Sequence, residues 1–189
     1  MRLDSKLNLI TEIETEQGTV YIHSTPIGVP VFEKYFLTIS KTFASIISEG
    51  LSFISGPRVA AMLLKKVAIE QGVWEGRDGV EAGLMAEIRR LSNVIMPSET
   101  GWKTIPFQDA IDKKILEAED IAEAEGLICF FICASAMSRR NEIKGVLDRM
   151  SLWGSQTTSF NSTAFQNSLP TLTAPETSPT LENTSSVPH

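Results

Sequence analysis

The chain is poor in the residues from which catalytic and metal sites are built. It has two histidines, His23 and His189, and two cysteines, Cys129 and Cys133. His23 lies in a stretch that reads as a strand, with no Ser, Cys or Asp partner implied by spacing, so it reads as structural. The two cysteines sit four apart on one helical face, where a mutual disulfide is awkward. Two thiolates alone also make a poor zinc site, so both read as buried free thiols. Gly72, Gly76, Gly79 and Gly83 fit neither a dinucleotide fingerprint nor a phosphate loop and read as a connection holding Trp74. No catalytic constellation, metal set or cofactor motif emerges, and the chain reads as a non-enzyme.

Long runs of one kind are missing too. No long Lys/Arg cluster occurs, since runs such as Lys65-Lys66 and Arg89-Arg90 are only doublets, and no Lys or Arg follows Arg149. With a net charge of −6 and a pI near 5.0, the chain lacks the electrostatic footprint of a nucleic-acid binder. Its densest apolar block, Leu127–Ala134, falls well short of the roughly 20 apolar residues that span a bilayer. The opening MRLDSKLNLITEIET has no apolar core of a secretory signal. The expectation is a protein made and retained in a cytoplasm, with neither membrane nor nucleic acid as partner.

What is present is a core. Hydrophobic residues make up 42% of 189, enough for one packed domain plus a tail. The most informative stretch is Leu116–Arg140, LEAEDIAEAEGLICFFICASAMSRR. Glu117, Glu119, Asp120, Glu123 and Glu125 crowd its start, and Arg139 and Arg140 close it, an order that suits the helix dipole. These acids read as a solvated, dipole-matched face rather than a cation site. Past Glu125 the apolar residues cover every side, the pattern of a helix buried among other elements.

Around it the sequence predicts an α+β domain. Residues 3–25 alternate as a β-hairpin turning at Gln17-Gly18. Helix one runs about Val31–Glu49 with a stripe of Phe32, Phe36, Ile39, Phe43 and Ile46. Helix two starts at Pro57 and ends near Gly72, with Val59, Met62, Leu63 and Val67 inward. Helix three starts at Asp78 in a capping box with Glu81 and carries Val80, Leu84, Ile88, Leu91 and Ile95 to a stop at Pro97. Residues 97–105 read as a loop carrying Trp102. Helix four opens at Pro106 with Phe107, Ala110, Ile111 and Ile115 inward, the central helix spans about Ala118–Ala136, and a last amphipathic run holds Ile143, Val146, Leu147 and Met150. The fold class is thus an N-terminal hairpin packed on a bundle of five or six helices.

Residues 1–150 are expected to form this domain and 151–189 a Ser/Thr/Pro-rich extension, largely disordered. Trp153, Phe160, Phe165 and Leu169 are spaced along its first half. They are candidate partner-binding anchors, since large apolar residues carry much interface energy. For Trp153, folding back onto the bundle is an equal alternative.

Three passages together resemble tail assembly chaperones of long-tailed, siphovirus-type bacteriophages. They are GTVYIHSTPIGVPVFEKYF at Gly18–Phe36, EAEDIAEAEGLICFFICASAMSRR at Glu117–Arg140 and SLWGSQTTSFNSTAFQNSLPTLT at Ser151–Thr173. The resemblance implies a non-enzymatic virion-assembly factor of the host cytoplasm. It would bind the tape measure protein, recruit tail tube protein, use no cofactor and be absent from the mature virion. Self-association stays open, as does the choice between a short and a frameshifted long form. The alternative is a structural protein of the tail, a terminator or connector subunit.

Overall fold

The computed structural model describes residues 7–16, 18–50, 52–137 and 154–171, together with Gly145 and Ser151. It is an α+β fold in which a five-stranded antiparallel sheet carries helices on one face and a short strap on the other. The predicted hairpin forms from β1 (Asn8–Thr15) and β2 (Gly18–Ser24), in register from Leu9↔Ser24 to Thr15↔Gly18. Gly18 takes φ +108°, open to glycine at little cost. Alternation sends Leu9, Ile13, Val20 and Ile22 into the main core, and Ile10 with Tyr21 to the opposite face.

Helix α1 spans Val29–Ser48 and α2 spans Ser52–Glu70. The buried stripe of α1 is Phe32, Tyr35, Thr38, Ile39, Thr42 and Ile46, while Phe36 is 46% exposed. The expected stripe is therefore rotated. Three hydroxyl residues are admitted because each donates a hydrogen bond: Tyr35 to Gly79 O (3.2 Å), Thr38 to Gln71 Oε1 (2.7 Å) and Thr42 to Thr38 O (2.8 Å). In α2, Pro57 lies inside the helix, which begins a turn earlier than expected. Its buried side is Ala60, Leu64, Val67 and Ala68, and Met62, expected inward, is 72% exposed.

The loop after α2 leads through a π-helical turn, Glu81–Met85, into α3 (Ala86–Arg90). Two corrections fall here. The expected capping box at Asp78 is not made, since the Asp78 carboxylate takes the Lys34 ammonium at 2.9 Å. The expected helix also stops at Arg90, and β3 (Ser92–Ser98) follows. It pairs with β2 through Tyr21↔Ile95 and Ile22↔Val94. The expected loop is β4 (Gly101–Pro106), joined to β3 by a tight turn at Glu99-Thr100.

Helix α4 (Phe107–Asp112) seats Phe107 and Ala110 in the core. Helix α5 (Ala118–Met137) is the central helix the sequence predicts, buried without a break from Gly126 to Ala136. It packs on α2, α1 and β1. At the crossing with α2, a Cβ on Gly126 would lie 2.7 Å from Pro57 O and 3.0 Å from Arg58 O. Backbone cannot yield as a side chain does. Gly126→Ala is expected to cost about 1–3 kcal/mol, the range for overpacking, read from urea midpoints.

The sheet order is β4-β3-β2-β1-β5. Strand β5 (Ser155–Thr158) adds to the β1 edge, and α6 (Ser162–Ser168) crosses the face away from the other helices. The folded body thus extends beyond residue 150 to include 154–171, which the sequence assigned to the extension. The expected hairpin is likewise the centre of a larger sheet. Trp153, the expected run around Ile143–Met150 and the tail from residue 172 onward lie outside the described residues.

Candidate partner-binding surfaces

A hollow lies where α2, the π-helical turn and the start of α5 meet. From α2 come Arg58, Ala61, Met62 and Lys65, which helical spacing sets on one side. Glu81, Met85 and Arg89 follow at four-residue intervals from the turn and α3, and α5 adds Glu119, Ala122, Glu123 and Glu125. Trp74 closes one end. The volume is about 530 Å³. Ala61, Met62, Trp74, Met85 and Ala122 give it an apolar floor.

Two further hollows adjoin it along α2. One, of about 450 Å³, is lined by Met62, Lys65, Lys66, Ile69 and Glu70. The other, of about 190 Å³, is lined by Ile69, Gly72, Trp74 and Glu75. Met62, Lys65, Ile69 and Trp74 are shared between neighbours, so the three form one trough. Ile69 and Val73 are 55% and 41% exposed within or beside it.

The walls carry opposite charge. The α2 side bears Arg58, Lys65 and Lys66, and the α5 side bears Glu119 and Glu123. Arg58 Nη2 reaches Glu123 Oε1 only at 3.9 Å, and Lys65 Nζ stands 5.3 Å over the Trp74 ring. Arg89 Nε donates to Glu125 Oε1 at 2.7 Å, closing the floor between α3 and α5. The acids at the start of α5 have local partners as well. Asp120 Oδ2 accepts from Glu117 N–H at 2.9 Å, the reciprocal half of a capping box. Among the described residues no group of three His, Cys, Asp or Glu converges as a metal site.

The anchors proposed from sequence fall in a different place. Phe165, only 7% exposed, packs between Ile10 and Ile95, with its ring 5.6 Å from that of Tyr21. Leu169 packs partly buried beside it, with Trp102. Phe160 is 50% exposed, although its carbonyl accepts from Asn8 Nδ2 (2.8 Å) and lies 3.0 Å from His23 Nε2. Two anchors therefore already rest on the chain's own sheet, and Phe160 projects from it. Sequence reasoning missed the trough. Its available signal was Trp74 within the Gly72–Gly83 connection and the row Met62, Lys65, Lys66, Ile69, where methionine suits an adaptable contact surface.

Both cysteines are buried in α5. Burial pushes the Cys133 thiol up to about 12, and burial, then Cys133 and Glu125, hold Cys129 well above the ordinary thiol range. Cys129 Sγ lies 3.9 Å from Met85 Sδ, beneath the trough floor. Neither thiol is a nucleophile at neutral pH. A thiol-specific reagent at pH 8 is expected to leave the native protein unmodified and to label both cysteines in denaturant. Labelling without denaturant would show that α5 opens readily.

Compared with protein-family models, curated proteins and solved structures, the chain finds no significant match in any of the three. Among the described residues no helix is long and apolar enough to cross a membrane.

Proposed function

We propose that this chain is a non-enzymatic assembly chaperone of the kind its sequence resembles, holding a helical segment of the tape measure protein in the trough along α2 and bringing tail tube subunits to it. One observation carries the reading: a row of adjoining hollows follows α2, with Met62 72% exposed in it, and the first of them lies between basic side chains of α2 and acidic ones of α5. An apolar floor with charged rims fits an amphipathic helix laid lengthwise, its apolar stripe inward. The orientation follows from charge: acids of the client face Lys65 and Lys66, and bases face Glu119.

The chemistry suits transient holding. Exposed Met62 and Ile69 gain by being covered, while ordering a client segment costs free energy, so affinity stays modest and release remains open. The Phe160 side chain is a second contact point, for a tail tube subunit. The test is composition. Mass spectrometry of purified tailed particles is expected to find the chain absent, while extracts arrested before tail completion yield it bound to the tape measure protein. A fixed copy number in finished tails would favour a structural tail protein instead.

A further inference from the structure

The outer face of the sheet is independent of the trough, and of the functional reading above it shares only Phe160, on its cover. Its cover is the strap 154–171, GSQTTSFNSTAFQNSLPT, which has no charged residue. The strap joins the body along the β1 edge and over the sheet face, and between the two its Phe160 O accepts from Asn8 Nδ2 at 2.8 Å and lies 3.0 Å from His23 Nε2. Strand β5 pairs with β1 from Asn8↔Thr158 to Thr11↔Ser155, and Glu12 N–H donates to Gly154 O at 3.1 Å. Helix α6, capped by Asn161 Oδ1 on Ala164 N–H (2.8 Å), lowers Phe165 into a seat made by Ile10, Tyr21, Ile95 and Trp102. Thr104 Oγ1 donates to Gln166 Oε1 at 2.6 Å, and Trp102 Nε1 donates to Pro170 O at 2.9 Å.

Three observations make this cover separable from what it covers. Among the described residues, the main core is built from those between Leu7 and Met137 and takes no side chain from the strap. The strap contributes one large buried side chain, Phe165, to a separate small cluster. Beneath it, Asn8 Oδ1 and His23 Nδ1 are buried with no hydrogen-bond partner among the described residues. Both atoms can return to water when the strap lifts, which offsets part of what Phe165 gains by burial. Units with few buried apolar contacts open at a lower free energy than the whole fold.

An open strap leaves an unpaired β1 edge beside an apolar seat, a template for another strand. The segment known to match both edge and seat is the strap itself, and every copy of the chain carries one. Its covalent connection is residues 138–153, a length of chain that spans at most roughly 50 Å. We propose that the strap is exchangeable: the β1 edge and the seat of Ile10, Tyr21, Ile95 and Trp102 receive residues 154–171 from a second copy of this chain. Exchange of an identical element is a low-cost route to a dimer. A strap's own seat competes with a neighbour's, so exchange grows with protein concentration. With no charge in the strap, it should change little with salt.

The Thr104–Gln166 contact supplies the test in the full chain. A chain with Thr104→Cys and a chain with Gln166→Cys are unfolded together under reducing conditions and refolded at high and low protein concentration. A short bismaleimide is then added. The native cysteines, buried again, stay out of the reaction. The expected result is a crosslinked heterodimer from the mixture that falls at least tenfold on dilution. Neither variant alone should give one. The doubly substituted chain should crosslink within itself when dilute, and adding Phe165→Ala to the Gln166→Cys chain should abolish the heterodimer. Intramolecular crosslinking with no heterodimer at any concentration would overturn exchange. Crosslinking of each single variant with itself as strongly as the mixture, or no crosslinking in the double variant, would overturn it too.

Discussion

Phe130→Ala is expected to lower the unfolding free energy by about 3–5 kcal/mol, the range for truncating a buried aromatic. Phe130 is 1% exposed at the middle of α5, in the stretch where every residue from Gly126 to Ala136 is buried. Its ring edge lies 3.1 Å from where a Cβ on Gly56 would stand, and the same point is 2.8 Å from Ile46 Cγ2. Helices α1, α2 and α5 therefore close on one another around this ring. Collapse into the space left by alanine would have to move a helix already held by backbone approach at Gly126. The cavity should persist, which places the cost in the upper part of the range. Chemical denaturation with an unchanged slope checks it. A loss below about 1 kcal/mol would mean that α5 is peripheral.

The second large effect is on client binding. Met62→Glu with Ile69→Glu places two carboxylates along the apolar trough, where a client's apolar stripe would have to desolvate them. A client helix anchored there should lose about 2 kcal/mol or more, roughly thirty-fold in Kd. Both positions are exposed, at 72% and 55%, so the fold should be little affected, within about 0.5 kcal/mol for each substitution. The control is Leu37→Glu with Ile47→Glu, equally exposed apolar residues on α1. It should leave binding unchanged. Titration of a labelled tape measure segment reads both pairs. Loss in the α1 pair and not in the α2 pair would move the client to the other helix.

The elements legible in the sequence are those whose pattern is local. Helix α5 announces itself because acids, an all-round apolar block and basic residues follow in order, and β1 and β2 because they alternate about a glycine turn. Strands β3 and β4 were hidden by a coincidence of spacing. Ile95 continues the helical row of Val80, Leu84, Ile88 and Leu91, yet it pairs with Tyr21 on the distant β2 and packs under Phe165. That pairing is tertiary and leaves no local trace. Strand β5, Ser-Gln-Thr-Thr, has no apolar alternation at all, and it is a strand because β1 offers an edge.

The candidate surfaces were legible to the same degree. Phe165 and Leu169 stood out as apolar residues in a polar segment, and such residues do find an apolar seat. Sequence alone could not say that the seat lies on the same chain. Met62 was assigned inward because α2 has apolar residues on two sides. The choice between them is made by the close crossing at Gly126, which meets the backbone of Pro57 and Arg58, and on this helix Ala60 and Leu64 are buried while Met62 turns out. That decision belongs to packing between α2 and α5, which no single helix pattern records.

The most direct test of the proposed chaperone reading is the solubility of a tape measure protein, where one is encoded beside this chain, expressed with it and without it. The account predicts that the tape measure protein pellets when expressed alone. With the chain it should stay soluble and elute in one complex with it, and the Met62→Glu, Ile69→Glu chain should fail to hold it. A tape measure protein that pellets equally with and without the wild-type chain, and elutes apart from it, would contradict the account.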